Sequence, residues 1–356
     1  MNRMWLVALA MLIAPALWLF GPTEAVTTRL PGVAEWRAGG LPDPATPPAA
    51  IAAFFAALTP HEATELARRH PDLVGNLDGA PLALRYAANR SSPGRQILAL
   101  DRRGDGRIAE VLGDLTSAGR VVILIPGVDT TLANFDTGLG GVERRAPAWQ
   151  ARQLHRQVAG DTAVIAWLGY DPPEGIRRAA LREDRAASGA LALERFVAGL
   201  VARRPDQTIM LVGHSYGSIV AGRAAAHLPA QVTDIVALGS PGMGVANRAE
   251  LGGTARFWAG AAPDDWTRKL PGLRIFGLGH GRLPIDPAFG ALPFPAGDLT
   301  GHDGYFATGT SALRALAQLA TSRSGEIARN ASAVASSAGN WTTSRSPVSP
   351  GSCMIS

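Results

Sequence analysis

An α/β fold is what the sequence predicts, with a mostly parallel sheet covered by helices on both faces and a helical preface ahead of it. Three observations carry this expectation. Short runs that are wholly apolar, such as Val121 to Ile125 and Ile209 to Val212, recur along the chain, and uninterrupted apolar strands belong to sheets buried on both faces. Helical patterns fall between them, which is the alternation of crossover connections. The chain has 356 residues of which 47% are hydrophobic, enough for a large core, while 41 glycines and 26 prolines supply its loops.

At the N-terminus, Arg3 precedes the apolar run Trp5 to Phe20, and Thr23-Glu24-Ala25 follows as a small-residue cleavage site. Residues 1–25 therefore read as an export segment. The run is long for a signal peptide and near the minimum for a bilayer span, so a cleaved signal and an uncleaved membrane anchor both stand. The expected location is secreted or in the cell envelope. Residues 26–50, rich in Pro, Ala and Gly, read as a linker.

Residues 51–118 are expected to hold the preface and a first hairpin. Apolar Ile51 to Leu58 is helical, and Thr59-Pro60-His61-Glu62 opens a second helix with Thr59 as N-cap and Pro60 at the first helical position. Pro81 to Arg90 gives a third. Gln96 to Leu100 and Arg107 to Leu112 are strands around the turn signal Asp101-Arg-Arg-Gly-Asp-Gly106.

Residues 119–320 form the expected catalytic core: strands at 121–125, 163–168, 209–212, 232–238 and near 255–260, helices near 187–203, over 217–227 and from about 310 to 320. Long loops at 129–150 and 171–186 are expected to shape a lid and pocket. Trp149, Trp167 and Tyr170 suit either an apolar site or the core. Residues 321–356 shift to Ser, Thr, Ala and Asn and read as a disordered tail. The acceptor-like Asn330-Ala-Ser332 and Asn340-Trp-Thr342 in that tail read as chance matches.

Charge excludes one function class. The 34 basic residues, all arginine except Lys269, exceed the 29 acidic ones by five, but the tail supplies two of those charges and the arginine doublets are scattered among acids. A nucleic-acid footprint needs a basic stripe, and none is present. The single Cys353 excludes an intramolecular disulfide, and its place in the tail argues against a catalytic thiol. The dispersed histidines form no metal motif, and there is no dinucleotide loop, so neither metal nor cofactor is expected.

Chemistry concentrates in Ile209-Met-Leu-Val-Gly213-His214-Ser215-Tyr216-Gly217-Ser218, where an apolar strand meets G-x-S-x-G and then a helix. That context is the nucleophile elbow: a strained turn exposes the serine, and Gly213 and Gly217 keep the neighbouring backbone clear. His214 reads as a support for the elbow. A serine hydroxyl needs a base, and the base an acid, in the chain order Ser, Asp, His. His302, in the glycine-flanked Gly301-His-Asp-Gly-Tyr305, is the preferred base, with His280 as the alternative. Asp265 is the preferred acid, then Asp264, with Asp286 more distant. Backbone N–H groups for an oxyanion map to Tyr216 and to Val128 in Pro126-Gly127-Val128.

Longer words resemble a known family, the actinobacterial α/β-hydrolases catalogued as a domain of unknown function. They are His70-Pro-Asp-Leu-Val-Gly-Asn-Leu-Asp-Gly-Ala-Pro81, Ala87-Ala-Asn-Arg90, Trp167-Leu-Gly-Tyr-Asp171-Pro, the elbow, Gly239-Ser-Pro-Gly-Met-Gly244, His280-Gly, Phe289-Gly-Ala and Gly301-His302. The resemblance covers roughly residues 55–310 and implies an α/β-hydrolase fold with the preface in the same unit. It implies a triad on Ser215, Asp265 and His302, and no substrate. Asp303 departs from the serine that relatives more often carry there. The expected activity is hydrolysis of carboxylic esters or lipids through an acyl-enzyme. An envelope acyltransferase and a catalytically silent binding protein are the alternatives.

Overall fold

The computed structural model describes residues 30–322, apart from residues 31, 91–93, 159, 177 and 276. The expected export segment, Cys353 and nearly all of the expected disordered tail lie outside the described residues. Among those described, no helix is long and apolar enough to cross a membrane.

The preface begins earlier than the sequence suggests. Part of the expected linker is a helix, α1 (Val33–Ala38), because Trp36 is an anchor: its ring is fully buried and its Nε1 donates to the Pro42 carbonyl at 2.6 Å. Next come α2 (Pro48–Ala56), α3 (Pro60–Arg69) and α4 (Leu82–Ala88). Thr59 and Glu62 cap α3 reciprocally, each side chain bonding the other's backbone N–H. Trp36, Ile51, Phe55, Leu66, Leu73 and Leu77 make a small core of their own. Arg85 joins it to the sheet. This fully buried guanidinium bonds the Leu98 carbonyl at 2.9 Å and pairs with Asp78 at 3.1 Å, which satisfies a charge that would be costly alone.

Eight strands form one sheet: β1 (Gln96–Asp101), β2 (Arg107–Leu112), β3 (Arg120–Ile125), β4 (Thr162–Leu168), β5 (Thr208–His214), β6 (Val232–Leu238), β7 (Arg256–Gly260) and β8 (Leu292–Pro293). Their order is β1-β2-β4-β3-β5-β6-β7-β8. The hairpin β1–β2 and the pair β2–β4 are antiparallel, and every pair from β4–β3 onward is parallel. The two-residue β8 carries no strand-like run and is not legible in the sequence.

Side chains that alternate along a strand face opposite sides of the sheet. Val121, Ile123 and Ile125 accordingly enter one core, with α6 (Asp184–Arg203) and α7 (Gly217–Ala224) over it. Val122 and Leu124 enter the other, under α5 (Pro147–His155) and α8 (Ser311–Thr321). Each fully buried aliphatic side chain contributes roughly 1.5–3 kcal/mol through lost apolar hydration. The α5 helix corrects the expected loop at 129–150. Pro147 starts it, and Ala148, Ala151 and Leu154 are its fully buried contacts, a helical spacing present in the sequence. Trp167 and Tyr170 are core, their rings stacked 6.1 Å apart, and Trp149 is half-buried against the second core.

Candidate active site

The site assembles at the carboxyl ends of the parallel strands. Strand β5 ends at His214, and Ser215 turns the chain into α7 with φ of +52°, left-handed for a residue with a Cβ. A Cβ on Gly217 would lie 2.3 Å from the Ile125 carbonyl oxygen, and one on Gly213 2.5 Å from the Ser218 Cα. The motif's glycines are therefore required by close backbone approach on either side of the serine. Ser218 braces the turn, its hydroxyl donating to the Ser215 carbonyl at 2.6 Å and meeting the Ser240 hydroxyl at 2.7 Å.

Thirty-seven positions apart in the chain, Asp265 and His302 meet at the same edge, with His302 Nδ1 2.9 Å from both carboxylate oxygens. A carboxylate can only accept here, so Nδ1 carries the hydrogen, which in the neutral ring leaves Nε2 with its lone pair. Asp265 is buried. It is also held by the Tyr305 hydroxyl at 2.5 Å and by the Thr267 N–H and hydroxyl at 2.9 and 2.7 Å. Burial opposes its ionisation, but His302, Tyr305 and the Thr267 N–H outweigh that and hold its carboxyl well below the usual carboxylate range. Gly239 makes room for the pair: a Cβ there would stand 2.6 Å from Asp265 Oδ2 and 3.0 Å from His302 Nδ1.

The other sequence candidates are placed elsewhere. Asp264 is exposed and accepts the Gly301 N–H at 2.7 Å, steadying the loop before His302. His280 is buried, its Nε2 2.6 Å from the Ala180 carbonyl, in a cluster with Glu183. Asp286 accepts the Ala288 N–H at the start of a 3₁₀ turn and pairs with Arg282. His214 Nε2 bonds the His302 carbonyl at 2.7 Å, and the two rings lie 4.6 Å apart. Burial, then the neighbouring His302, push the His214 imidazole down to about 4, so it is neutral at pH 7 and supports the loop. Asp303 pairs with Arg145 at 2.6 Å and ties the same loop to the segment before α5.

Gly127 lies against the serine, where a Cβ would meet the Ser215 Cβ at 2.7 Å, so the turn leading to Val128 borders the hydroxyl. Tyr216 is fixed from its side chain: its hydroxyl donates to the Arg182 carbonyl at 2.8 Å and accepts from the Ala186 N–H at 3.2 Å. The Ser215 hydroxyl makes no hydrogen bond among the described residues. Tyr305, Thr267, Gly239 and Ser240 received no role from the sequence. Gly239 and Ser240 lie inside its distinctive words and Tyr305 closes the loop that holds His302, but only their long-range contacts give them one. Among the described residues no group of His, Cys, Asp and Glu could hold a metal ion.

The sequence profile described as alpha/beta hydrolase matches residues 101–275. An uncharacterized protein of Mycobacterium tuberculosis is 34% identical over 206 residues, covering 54% of this chain and 75% of the relative. Another from the same species is 25% identical over 388 residues, covering 81% of this chain but 58% of its own length. Among solved structures, a Xanthomonas campestris α/β serine hydrolase described as having no lid covers 65% of this chain and 94% of its own at 16% identity and a TM-score of 0.38. A carboxylesterase from Mesorhizobium loti covers 62% and 96% at 16% identity, also with a TM-score of 0.38. The profile over the sheet and elbow, together with the mycobacterial relative, shows that this chain belongs to the alpha/beta hydrolase family.

Proposed function

We propose that the chain is a serine hydrolase that cleaves carboxylic esters through Ser215, His302 and Asp265. The observation that carries this reading is the buried Asp265 carboxylate on His302 Nδ1, at the sheet edge where Ser215 is held left-handed. His302 Nε2 takes the Ser215 proton as Oγ attacks the ester carbonyl. The N–H groups of Val128 and Tyr216 face the oxygen that gains charge. His302 then protonates the departing alcohol and leaves an acyl-enzyme. Water, deprotonated by the same nitrogen, releases the acid and restores the serine. The bond from Ser215 Oγ to His302 Nε2 closes with substrate, as catalytic hydrogen bonds in unliganded sites often do. The distinction of hydrolysis from acyl transfer to another alcohol rests on acceptor access.

Export, to the medium or the cell envelope, rests on residues 1–25 alone, which lie outside the described residues. The test of activity treats the full chain, and Ser215→Ala beside it, with a fluorophosphonate probe and with p-nitrophenyl esters of short and long acids. Labelling and turnover that vanish in Ser215→Ala are the expected result. A folded wild-type protein that neither labels nor turns over would overturn the reading in favour of a binding scaffold.

A further inference from the structure

Residues 266–285, immediately after Asp265, hold Arg268, Lys269, Arg274 and Arg282 and no carboxylate. Arg274 turns back to Glu183 and Arg282 to Asp286, whereas neither Arg268 nor Lys269 has a carboxylate partner among the described residues. The same segment exposes large apolar side chains. Leu273 is 57% and Ile275 56% exposed, and Trp266 is partly exposed while its ring sits 5.1 Å from that of His302.

A second loop extends this surface. Gly279 N–H donates to the Leu181 carbonyl at 2.8 Å and His280 bonds the Ala180 carbonyl, so 178–181 is laced to 278–280. That loop brings exposed Leu181 and, from the same connection, Ile176, which is 67% exposed. Five of the eight large hydrophobics exposed among the described residues thus lie on these two loops. Between 268–273 and 282–286 runs a cleft of about 470 Å³, its walls Leu270, Leu273, Leu283 and Ile285 and its charged groups Arg268, Arg282 and Asp286, the last paired with Arg282 so that Arg268 is left as the uncompensated charge.

Exposed aliphatic groups interleaved with unpaired cations, beside a reactive centre, suit an interface that is apolar below and anionic above. We propose that segment 266–285, with the 176–181 loop, docks the enzyme on an anionic lipid surface, so that the site beside Trp266 draws its ester substrate from that surface. Leu273 and Ile275 enter the acyl boundary, Arg268 and Lys269 meet headgroup charge, and the cleft receives one lipid. Docking stands on these residues alone; the substrate consequence rests on the proposed hydrolase.

The test uses the full chain and vesicles of phosphatidylcholine with or without phosphatidylglycerol, reading co-sedimentation and hydrolysis of an ester embedded in the vesicle against the same activity on a soluble short ester. Wild type is expected to favour the anionic vesicles. Arg268→Gln with Lys269→Gln should weaken anionic-vesicle partitioning about 25-fold, at about 1 kcal/mol per basic residue. Leu273→Asp with Ile275→Asp should lower it by about tenfold or more. Both should lose embedded-ester hydrolysis and keep soluble-ester hydrolysis. Leu191→Asp, an equally exposed apolar position on α6, should change neither. Equal partitioning of wild type onto both vesicles, or of the segment variants and wild type onto anionic ones, would overturn the proposal. Selective docking without ester hydrolysis would instead sink the hydrolase reading and leave docking standing.

Discussion

Asp129 and Ser215 are the two non-glycine residues, among those described, whose backbones are left-handed, with φ of +60° and +52°. One is the proposed nucleophile, and the other directly follows Val128, a proposed oxyanion donor. Asp129 is fixed on three sides: its N–H donates to the Pro173 carbonyl at 3.0 Å, its Oδ1 accepts the Gly175 N–H at 2.6 Å, and its carbonyl accepts from Asn134 at 2.7 Å. Backbone strain of this kind persists only where the surroundings impose it.

The expected ranking of variants follows. Asp129→Asn keeps the acceptor and tolerates the conformation, so turnover of a p-nitrophenyl ester should stay within about threefold of wild type. Asp129→Gly keeps the conformation without the acceptor and should fall between the extremes. Asp129→Ala has neither advantage and should lose about 1–2 kcal/mol in urea unfolding, with the largest drop in kcat. Equal kcat across the three would show that this residue does not position the turn.

Asp265 and Asp264 are adjacent in sequence and opposite in consequence. Asp265→Asn removes the charge that faces the His302 imidazolium and permits the wrong tautomer, so kcat should fall by about 10³–10⁴ with KM little changed. Asp264→Asn touches only the Gly301 N–H and should cost less than about tenfold. Steady-state kinetics on both variants check the assignment, and a reversed ranking would move the acid to Asp264.

Gly239 is the tightest point behind the pair. Gly239→Ala places a methyl against both Asp265 and His302 at a left-handed φ of +53°. It should cut fluorophosphonate labelling by about 10² or more while the protein still unfolds cooperatively. Wild-type labelling in that variant would mean the pair can shift without loss.

His214 gives stability a pH dependence. Its folded-state value, about 4, lies below the roughly 6.5 of an exposed histidine, so the unfolded chain binds more protons between those values. The contribution is therefore complete above about pH 6.5 and lost as pH falls towards 4, by of order 1–3 kcal/mol. Urea unfolding at pH 7 and 4.5 should show a smaller pH difference for His214→Gln than for wild type. An identical difference would place the dependence on other groups.

The strands and most helices were legible because their determinants are local. Continuous apolar runs such as 121–125 and 209–212 form strands wherever they pair, and Thr59 with Glu62 caps its helix using atoms within one turn. The α5 helix was missed although Ala148, Ala151 and Leu154 mark a helical stripe, since the surrounding Gly, Arg and Pro read as loop. The α1 helix lies in equally loop-like sequence, and only the burial of Trp36 reveals it.

For the candidate site, the sequence alone determined the elbow, because Gly213, Ser215 and Gly217 must sit close together to make a strained turn between strand and helix. It also narrowed base and acid to a few positions. Only the tertiary structure shows which of them meet. Asp264 and Asp265 are indistinguishable as neighbours in a loop until His302, Tyr305 and Thr267 converge on one carboxylate across long chain separations. His280 and His302 both follow glycines, and burial with a backbone partner separates the first from the second. The exposed apolar and cationic surface beside Trp266 was equally invisible, because a run of Leu, Ile and Arg shows no face until the fold sets which side chains meet water.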